Sequence, residues 1–177
     1  MDNANKEIRE WIETLFIAIL LAVLIKMFMF DFIQVDGNSM VPTLNHRDRL
    51  FINKLQYFIQ KPEKGDIVVF QYPYDKAYFF IKRVIATEGD TIEIKDGQVI
   101  VNGIVCEEPY ILEKTIDYFG KKFVPKDTIF VLGDNRNNSK DSRYEDIGAV
   151  SLKLVKGKAI MRVWPLRSFG KITKNAG

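Results

Sequence analysis

The sequence predicts a mostly β protein, in which one N-terminal transmembrane helix precedes an antiparallel β-sheet domain. Three observations support this prediction. An apolar run occupies residues 11–30, short Val/Ile/Phe/Tyr runs alternate with turn residues from Phe32 onward, and no long amphipathic pattern follows residue 31. A chain of 177 residues suits one such domain with an appendage and is long enough to bury a core.

The apolar run WIETLFIAILLAVLIKMFMF has the length of a membrane crossing, because twenty helical residues span about 30 Å. Its centre, Leu15 to Ile25, carries no charge, and Lys26 is close enough to the outer end to reach lipid headgroups. A cleaved signal peptide would end in small residues, whereas this run ends in KMFMFDFIQV, and a buried core helix would show a polar stripe. We therefore expect a short cytoplasmic N-terminus over residues 1–10 and an uncleaved anchor over 11–31.

The remainder, residues 32–177, is expected to form one β-rich domain. Asp96-Gly97 and Asn102-Gly103 are hairpin turns between alternating apolar residues. The region 93–125 is interpreted as a β-hairpin excursion from the main sheet. Strands are predicted over residues 49–55, 66–70, 77–86, 90–103, 127–133 and 157–164.

Composition excludes several classes of function. The net charge is +3 and no long basic block is interleaved with aromatic residues, which argues against a nucleic-acid partner. Cys106 and His46 are the single cysteine and histidine, so the usual metal-ligand sets cannot be built. We expect no metal and no cofactor. A local pair of His46 with Ser39 is conceivable, but a loop position for His46 is the favoured interpretation.

The stretch VDGNSMVPTL places Ser39 in a turn directly after the apolar run. A serine hydroxyl is a weak nucleophile unless a base takes its proton, and without a histidine a lysine is one candidate. A lysine must be neutral for that task, which requires its pKa to fall by about 3 units, or roughly 4 kcal/mol, through burial. Otherwise Ser39 is only a turn residue.

Within the β-rich region, the predicted strand AYFFIKRVIA surrounds its lysine with more aliphatic and aromatic residues than any other strand does. Alternation sends Lys82 and Arg83 to opposite faces, and an arginine does not lose its proton. Lys82, flanked on its face by Phe80 and Val84, is therefore the candidate base. The alternative is a strand lysine that ends in solvent.

The segment GDNRNNSKDSR, residues 133–143, contains no apolar side chain, and we call it the polar loop. A loop of this composition can be fixed by side-chain to backbone hydrogen bonds. We expect an ion pair between Asp141 and Arg143 to brace it. The alternative is an ordinary solvated loop.

Four motifs, NSMVPTL, GDIVVF, IKRVIATEGD and GDNRNNSKDSR, occur in this order after the single anchor. Together they closely resemble the bacterial type I signal peptidases, the Ser/Lys proteases that release exported proteins from the membrane. The resemblance runs from about Leu15 to Trp164, and the short chain is similar to the Gram-positive members.

The resemblance implies a role for each matching residue. Ser39 matches the family nucleophile, Lys82 its general base, and Ser139 the serine that hydrogen-bonds the lysine. Three further groups match supporting positions of the family: the ion pair Asp141–Arg143, the polar-loop residues Asp134, Asn135 and Arg136, and the turn residues Met40 and Pro42.

Gly37 is a departure from part of the family. Some members carry a serine two residues before the nucleophile, and its hydroxyl adds to the oxyanion hole. With Gly37 at that position, the Ser39 N–H is expected to carry more of the negative charge of the oxyanion, either alone or together with a contribution from Gly37. A second departure, Ala86-Thr87-Glu88 in place of small or proline residues, does not touch the lysine.

By resemblance, the substrates are signal-peptide-bearing preproteins, cut after small residues at the −1 and −3 positions. An extended substrate is expected to bind along a strand edge. The enzyme is expected to be held at the cell membrane by its single-pass anchor, with the catalytic domain on the extracytoplasmic side. The lipid bilayer is thus a second partner. The expected lining residues are Ile33, Gln34, Val35, Met40 and Phe80.

Two other functions compete with this one. A membrane-tethered β domain that binds a partner protein without catalysis would tolerate replacement of Ser39 and Lys82. A self-cleaving Ser/Lys repressor would need a DNA-binding helical region, where this sequence has an apolar run.

Overall fold

The structure is a computed structural model that describes residues 2–173, apart from the side chains of residues 2–5, 25–28 and 58. Helix α1, Asp2–Met29, is followed by twelve strands and the short helix α2, Gln56–Ile59. The strands are β1 Phe30–Gln34, β2 Arg49–Asn53, β3 Ile67–Gln71, β4 Phe79–Thr87, β5 Thr91–Lys95, β6 Gln98–Val101, β7 Ile104–Val105, β8 Phe119–Phe123, β9 Thr128–Leu132, β10 Val150–Ser151, β11 Val155–Trp164 and β12 Gly170–Lys171.

These strands form two antiparallel sheets. The larger sheet has the order β1-β2-β11-β3-β4-β9-β10, with β12 paired to β11, and the smaller has the order β7-β6-β5-β8. The smaller sheet coincides with the predicted excursion. Both predicted hairpin turns are present, with positive φ at Asp96 (53°), Gly97 (74°), Asn102 (55°) and Gly103 (80°), as a tight two-residue hairpin turn requires.

In the larger sheet, β1 and the first half of β4 each have one backbone edge to which no described strand is paired. Strand β1 pairs with β2 alone and forms one border of the sheet. Strand β4 pairs with β3 over Phe79–Arg83, but its pairing with β9 begins only at Arg83. The N-terminal half of β4 therefore keeps one backbone edge open among the described strands.

The core consists of three groups of buried apolar side chains. One group lies beneath the turn that joins β1 to β2, one lies between β3, β4 and β9, and one joins the two sheets. Their principal members are Val35, Met40, Leu44, Leu50 and Ile52 in the first, Val68, Phe70, Val84 and Val131 in the second, and Ala86, Ile92, Ile94, Phe130 and Leu132 in the third.

The predicted class, mostly antiparallel β, is confirmed, and one N-terminal helix precedes the sheets. The end of the apolar run was assigned wrongly, because α1 stops at Met29 and Phe30–Gln34 pair with β2 as a strand. Among the described residues, no helix combines the length and apolar character needed for a membrane crossing. The side chains of Lys26 and Phe28 lie outside the described residues. The membrane anchor therefore stays a prediction.

Candidate active site

Ser39 lies in the turn between β1 and β2, residues 35–48, which we call the Ser39 turn. The turn is closed at its base by hydrogen bonds from Val35 N to Asp48 O (2.8 Å) and from Arg47 N to Val35 O (2.9 Å). Met40 and Leu44 are fully buried beneath it, so the apolar core fixes the residues that follow the serine. Ser39 itself remains partly exposed.

Lys82 reaches this serine from β4. Its Nζ lies 2.8 Å from Ser39 Oγ and donates a second hydrogen bond of 3.0 Å to Ile81 O. The lysine is only 2% exposed, and its Nζ lies 5.3 Å from the centre of the Phe80 ring. The structure thus brings together the two residues, 43 positions apart in sequence, that sequence reasoning selected for nucleophile and base.

Burial lowers the pKa of Lys82 from its ordinary value of 10.5 to about 8. Removal from water penalises the ammonium form, and the charge of Arg143 acts in the same direction, while the carboxylates of Asp141 and Asp134 oppose it. A sizeable fraction of the lysine is therefore neutral near pH 8. A neutral amine at this distance can accept the proton of the serine hydroxyl.

Arg83, the neighbour of Lys82, points to a different set of partners. It is completely buried and forms a bidentate ion pair with Asp134, in which Nε and Nη2 each lie 2.8 Å from a carboxylate oxygen. Nη1 also donates to Gly65 O at 3.0 Å. The pair joins β4 to the polar loop. Because both side chains are fully buried, separating them would leave a buried charge without its partner.

The polar loop is ordered by its own side chains. Asp141 accepts a hydrogen bond from Gly133 N at 3.0 Å and a bidentate pair from Arg143 at 2.8 and 2.9 Å. Asn135 then contacts the Ser39 turn directly, donating from its backbone N to Ser39 O (3.0 Å) and from Nδ2 to Asn38 O (3.1 Å). The loop therefore fixes the main chain on both sides of the Ser39 amide.

Gly133 is a residue that sequence reasoning missed. A Cβ added to it would lie 2.5 Å from Ser39 O and 2.6 Å from Ser139 Cβ, closer than real Cβ contacts. The polar loop and the Ser39 turn can approach this closely only with glycine at position 133. Its sequence signal is its place as the first residue of the polar loop, directly after an apolar strand.

Ser139 does not make the contact that the resemblance implies. Its Oγ is buried and has no hydrogen-bond partner among the described residues, because the side chain packs over Gly133. The hydrogen bonds of the Lys82 Nζ go instead to Ser39 and Ile81. The expected Ser139–Lys82 hydrogen bond is thus absent from the described part of the chain.

The two N–H groups considered for the oxyanion hole differ in whether they are already hydrogen-bonded. Gly37 has a φ of 93°, and its N–H donates to Nδ1 of His46 at 3.2 Å, so this N–H is already engaged. The N–H of Ser39 has no acceptor within residues 2–173. Of these two N–H groups, that of Ser39 is the one left available for an oxyanion. His46 lies in the Ser39 turn and accepts from Gly37 N rather than from Ser39, in agreement with the favoured loop position.

A cleft of about 630 Å³ opens beside Ser39 and Lys82, between β1 and the open half of β4. All five expected lining residues contribute to it: Ile33, Gln34, Val35, Met40 and Phe80. Tyr78, Asn138 and Lys140 at its border were not anticipated. Residues 2–173 contain no cluster of three His, Cys, Asp or Glu side chains placed to hold a metal ion.

A family model for signal peptidase, peptidase S26, matches residues 8–164, most of the chain. The chain belongs to the signal peptidase family. This confirms the resemblance to type I signal peptidases, and the chain is accordingly a serine peptidase, a hydrolase. The alternative of a non-catalytic tethered domain is not supported.

Several relatives of this signal peptidase are known. It is similar to signal peptidase I S of Bacillus subtilis (strain 168), with 37% identity over 96% of both chains, and to signal peptidase I of Leptolyngbya laminosa, with 36% identity over 96% of this chain and 86% of that one. It is 38% identical over 85% of its length to thylakoidal processing peptidase 1 of Arabidopsis thaliana, of which it spans 46%.

A solved structure of a signal peptidase I from Enterococcus faecalis V583 superimposes with a TM-score of 0.50 and 32% identity. The superposition covers 56% of this chain and 97% of the other.

Proposed function

We propose that this signal peptidase removes N-terminal signal peptides from exported preproteins with Ser39 as nucleophile and Lys82 as general base. The observation that supports the proposal is the 2.8 Å contact between Lys82 Nζ and Ser39 Oγ, made by a lysine that is almost fully buried. Histidine and metal are not needed for this chemistry, because burial alone makes the lysine a base near neutral pH.

The reaction has two halves. Neutral Lys82 takes the proton of Ser39, whose Oγ attacks the carbonyl carbon before the scissile bond, and the Ser39 N–H stabilises the oxyanion. The C–N bond breaks as Lys82 returns the proton to the leaving amine, and the mature protein departs. In the second half Lys82 takes a proton from water, the resulting hydroxide attacks the acyl-enzyme, and the proton returns to Ser39 as the signal peptide leaves.

The polar-loop residues act as supports in this proposal. Asp141 and Arg143 hold the end of the loop, Asp134 fixes β4 through Arg83, and Arg136 donates to Gly133 O at 3.0 Å. None of them contacts Ser39 Oγ or Lys82 Nζ. Ser139 would fill space against Gly133 rather than orient the amine.

The substrate is proposed to complete the larger sheet. An extended peptide in the cleft faces two unpaired backbone edges, that of β1 and that of the first half of β4, and can hydrogen-bond to both. Val35 and Met40 are buried at the floor, while Ile33 and Phe80 are half-buried at the walls. A cleft with such an apolar floor and walls favours small side chains at the −1 and −3 positions.

Helix α1 is proposed to hold the enzyme in a cell membrane, with the β domain on the extracytoplasmic side. The support is the exposure of its apolar side chains, including Trp11 (76%), Leu15 (62%) and Phe16 (66%). A bilayer would remove these exposed apolar side chains from water. Attachment to the membrane would also raise the effective concentration of a membrane-bound substrate.

Purified full-length protein in lipid vesicles is expected to cut a preprotein that carries alanine at −1 and −3, and to float with the vesicles at low and high salt. Phenylalanine at −1 is expected to reduce kcat/KM by about 100-fold or more, because the ring cannot enter the cleft beside Phe80. Ser39→Ala serves as the inactive control. Equal cutting of both preproteins would refute the assignment of the cleft, and cutting by Ser39→Ala would refute that of the nucleophile.

The rate of cleavage is expected to rise with pH until the pKa of Lys82, about 8, is passed. The neutral amine is the active form, so kcat/KM should increase about tenfold per pH unit below that value and level off above it. The profile is measured from about pH 6 to about pH 10 on a soluble peptide, with circular dichroism at each pH to check the fold. A flat profile would contradict a lysine base.

A further inference from the structure

The segment between β7 and β8, residues 106–118, crosses the outer side of the polar loop, and we call it the strap. It has no regular secondary structure, yet its main chain bonds to the loop at three points. Leu112 N donates to Asp134 O (3.2 Å), Ile116 N donates to Asn137 Oδ1 (3.0 Å), and Lys114 O accepts from Asn137 Nδ2 (3.1 Å). The strap is therefore attached to the loop along its length.

Three guanidinium groups lie beneath the strap, and each contacts a strap side chain. Arg83 lies 3.9 Å from the centre of the Tyr110 ring, and Arg143 donates to Thr115 Oγ1 (3.1 Å) and Asp117 Oδ2 (2.6 Å). Arg83 and Arg143 also have carboxylate partners inside the polar loop, Asp134 and Asp141. These two arginines would remain paired without the strap.

Arg136 differs, because its carboxylate comes from the strap. Its two terminal nitrogens lie 2.8 and 2.6 Å from the two oxygens of Glu108, and the side chains of both residues are almost fully buried. Tyr110 donates its hydroxyl to the same carboxylate at 3.1 Å. A buried guanidinium without this carboxylate would have an uncompensated charge, so Glu108 determines where the Arg136 side chain lies.

Arg136 in turn determines the position of two groups next to the catalytic pair. Its Nε donates to Gly133 O at 3.0 Å, and its own carbonyl oxygen accepts from Arg143 at 2.6 Å. A Cβ built on Gly133 would lie 2.5 Å from Ser39 O, so the backbone at Gly133 closely approaches the backbone of Ser39. A continuous set of contacts therefore runs from Glu108 through Arg136 and Gly133 to the backbone of Ser39.

We propose that Glu108 is a positioning residue for the Ser39–Lys82 pair, acting through Arg136 and Gly133. The smaller sheet and its strap would then brace the catalytic loop from outside the cleft. The inference rests on the proposed function, since it concerns the geometry of that reaction. Loss of the carboxylate would release Arg136 from Gly133 O and let the Ser39 turn shift relative to Lys82. Misplacement of this kind lowers the rate of chemistry rather than the affinity for substrate.

The test compares Glu108→Gln with Glu107→Gln, which changes the neighbouring, exposed glutamate in the same way. Glu108→Gln is expected to lower kcat by about 10- to 100-fold with KM within about twofold, because the strap does not line the cleft. Glu107→Gln is expected to match the wild type. A merely structural role would lower the melting temperature of Glu108→Gln and leave the kcat of the folded enzyme unchanged, which would overturn the proposal.

A double variant covers the case in which Glu108→Gln does not fold. Glu108→Gln with Arg136→Gln removes both members of the buried pair, a change that proteins usually tolerate better than the loss of one. Because Gly133 O still lacks its donor, the double variant is expected to have the same loss of kcat as Arg136→Gln alone. Recovery of wild-type kcat in the folded double variant would show that the pair does not position the serine.

A second measurement separates this proposal from the function on which it rests. Acylation of Ser39 by a small acylating reagent, followed through the mass of the intact protein, reports the reactivity of the catalytic pair without any preprotein. The same fall is expected in Glu108→Gln. A wild type that is acylated but cuts no preprotein would refute the proposed function alone. Equal acylation of wild type and Glu108→Gln would refute the positioning role alone.

Discussion

Replacing Lys82 with methionine is expected to abolish peptide cleavage and to make the folded protein more stable at neutral pH. Methionine has a similar length and suits the apolar surroundings, so the fold should persist. Without the amine, Ser39 has no base within hydrogen-bonding distance, and kcat should fall roughly 10⁴- to 10⁶-fold.

The gain in stability follows from the pKa of the lysine. In the folded protein this pKa is about 8, whereas the ordinary value is 10.5. Below pH 8 the amine is protonated in both states and the folded state bears the whole cost of the buried charge, roughly 3 kcal/mol. That cost disappears as the pH rises from 8 to 10.5, because the folded lysine is then already neutral.

Methionine removes this cost but also removes the hydrogen bonds to Ser39 and Ile81, worth about 1 kcal/mol each. A net gain of roughly 1 to 2 kcal/mol in the free energy of unfolding is expected near pH 7, whereas near pH 10 most of the charge cost is gone and the variant should be less stable than the wild type by roughly 1 kcal/mol. Urea denaturation of both proteins at the two pH values measures it. Lys95→Met, at an exposed strand position, is the matched control. A Lys82→Met protein that is less stable than the wild type near pH 7 would contradict the argument.

Gly133→Ala is expected to inactivate the enzyme although residue 133 touches no substrate. The new Cβ would lie 2.5 Å from Ser39 O and 2.6 Å from Ser139 Cβ, so the Ser39 turn or the polar loop must move. A displacement of this size should lower kcat by about 100-fold or more and cost about 1–3 kcal/mol of stability.

Steady-state kinetics and thermal melting of Gly133→Ala measure these effects, and Gly170→Ala is the matched control. A Cβ at Gly170 would meet nothing within 4 Å. Adding Ser139→Gly to Gly133→Ala relieves the contact with the serine side chain but not that with Ser39 O. Stability should therefore recover in part while kcat stays low. Full activity in Gly133→Ala would show that the close approach is unimportant.

Short-range patterns were sufficient to predict seven of the twelve strands and both hairpin turns, whereas β1 and the short or peripheral strands β7, β8, β10 and β12 were not predicted. Asp-Gly and Asn-Gly pairs between alternating apolar residues have few other structures to adopt. Lys82 could be selected because a charged lysine within a run of aromatic and aliphatic residues is costly to bury in an apolar core. Strand β1 was missed, since FDFIQ continues an apolar run that suits a helix equally well.

Contacts between distant segments could not be predicted in the same way. Glu108 and Arg136 are 28 residues apart, and each lies in a stretch whose composition is that of a solvated loop. The engagement of Gly37 by His46, and the lack of a hydrogen-bond partner for the buried Ser139 hydroxyl among the described residues, depend on the exact path of the turns. Only the folded arrangement brings these groups together.

The gap between β1 and the first half of β4 gives the enzyme a way to choose substrates by their conformation. A chain that fills this gap must be fully extended for several residues and must have its own backbone groups free. A stretch inside a helix meets neither condition, and a strand paired in a sheet is extended but has its backbone groups already bonded. Folded proteins, including the completed products of the reaction, would therefore be protected whatever their sequence, and cleavage would be limited to the period before a newly exported chain folds.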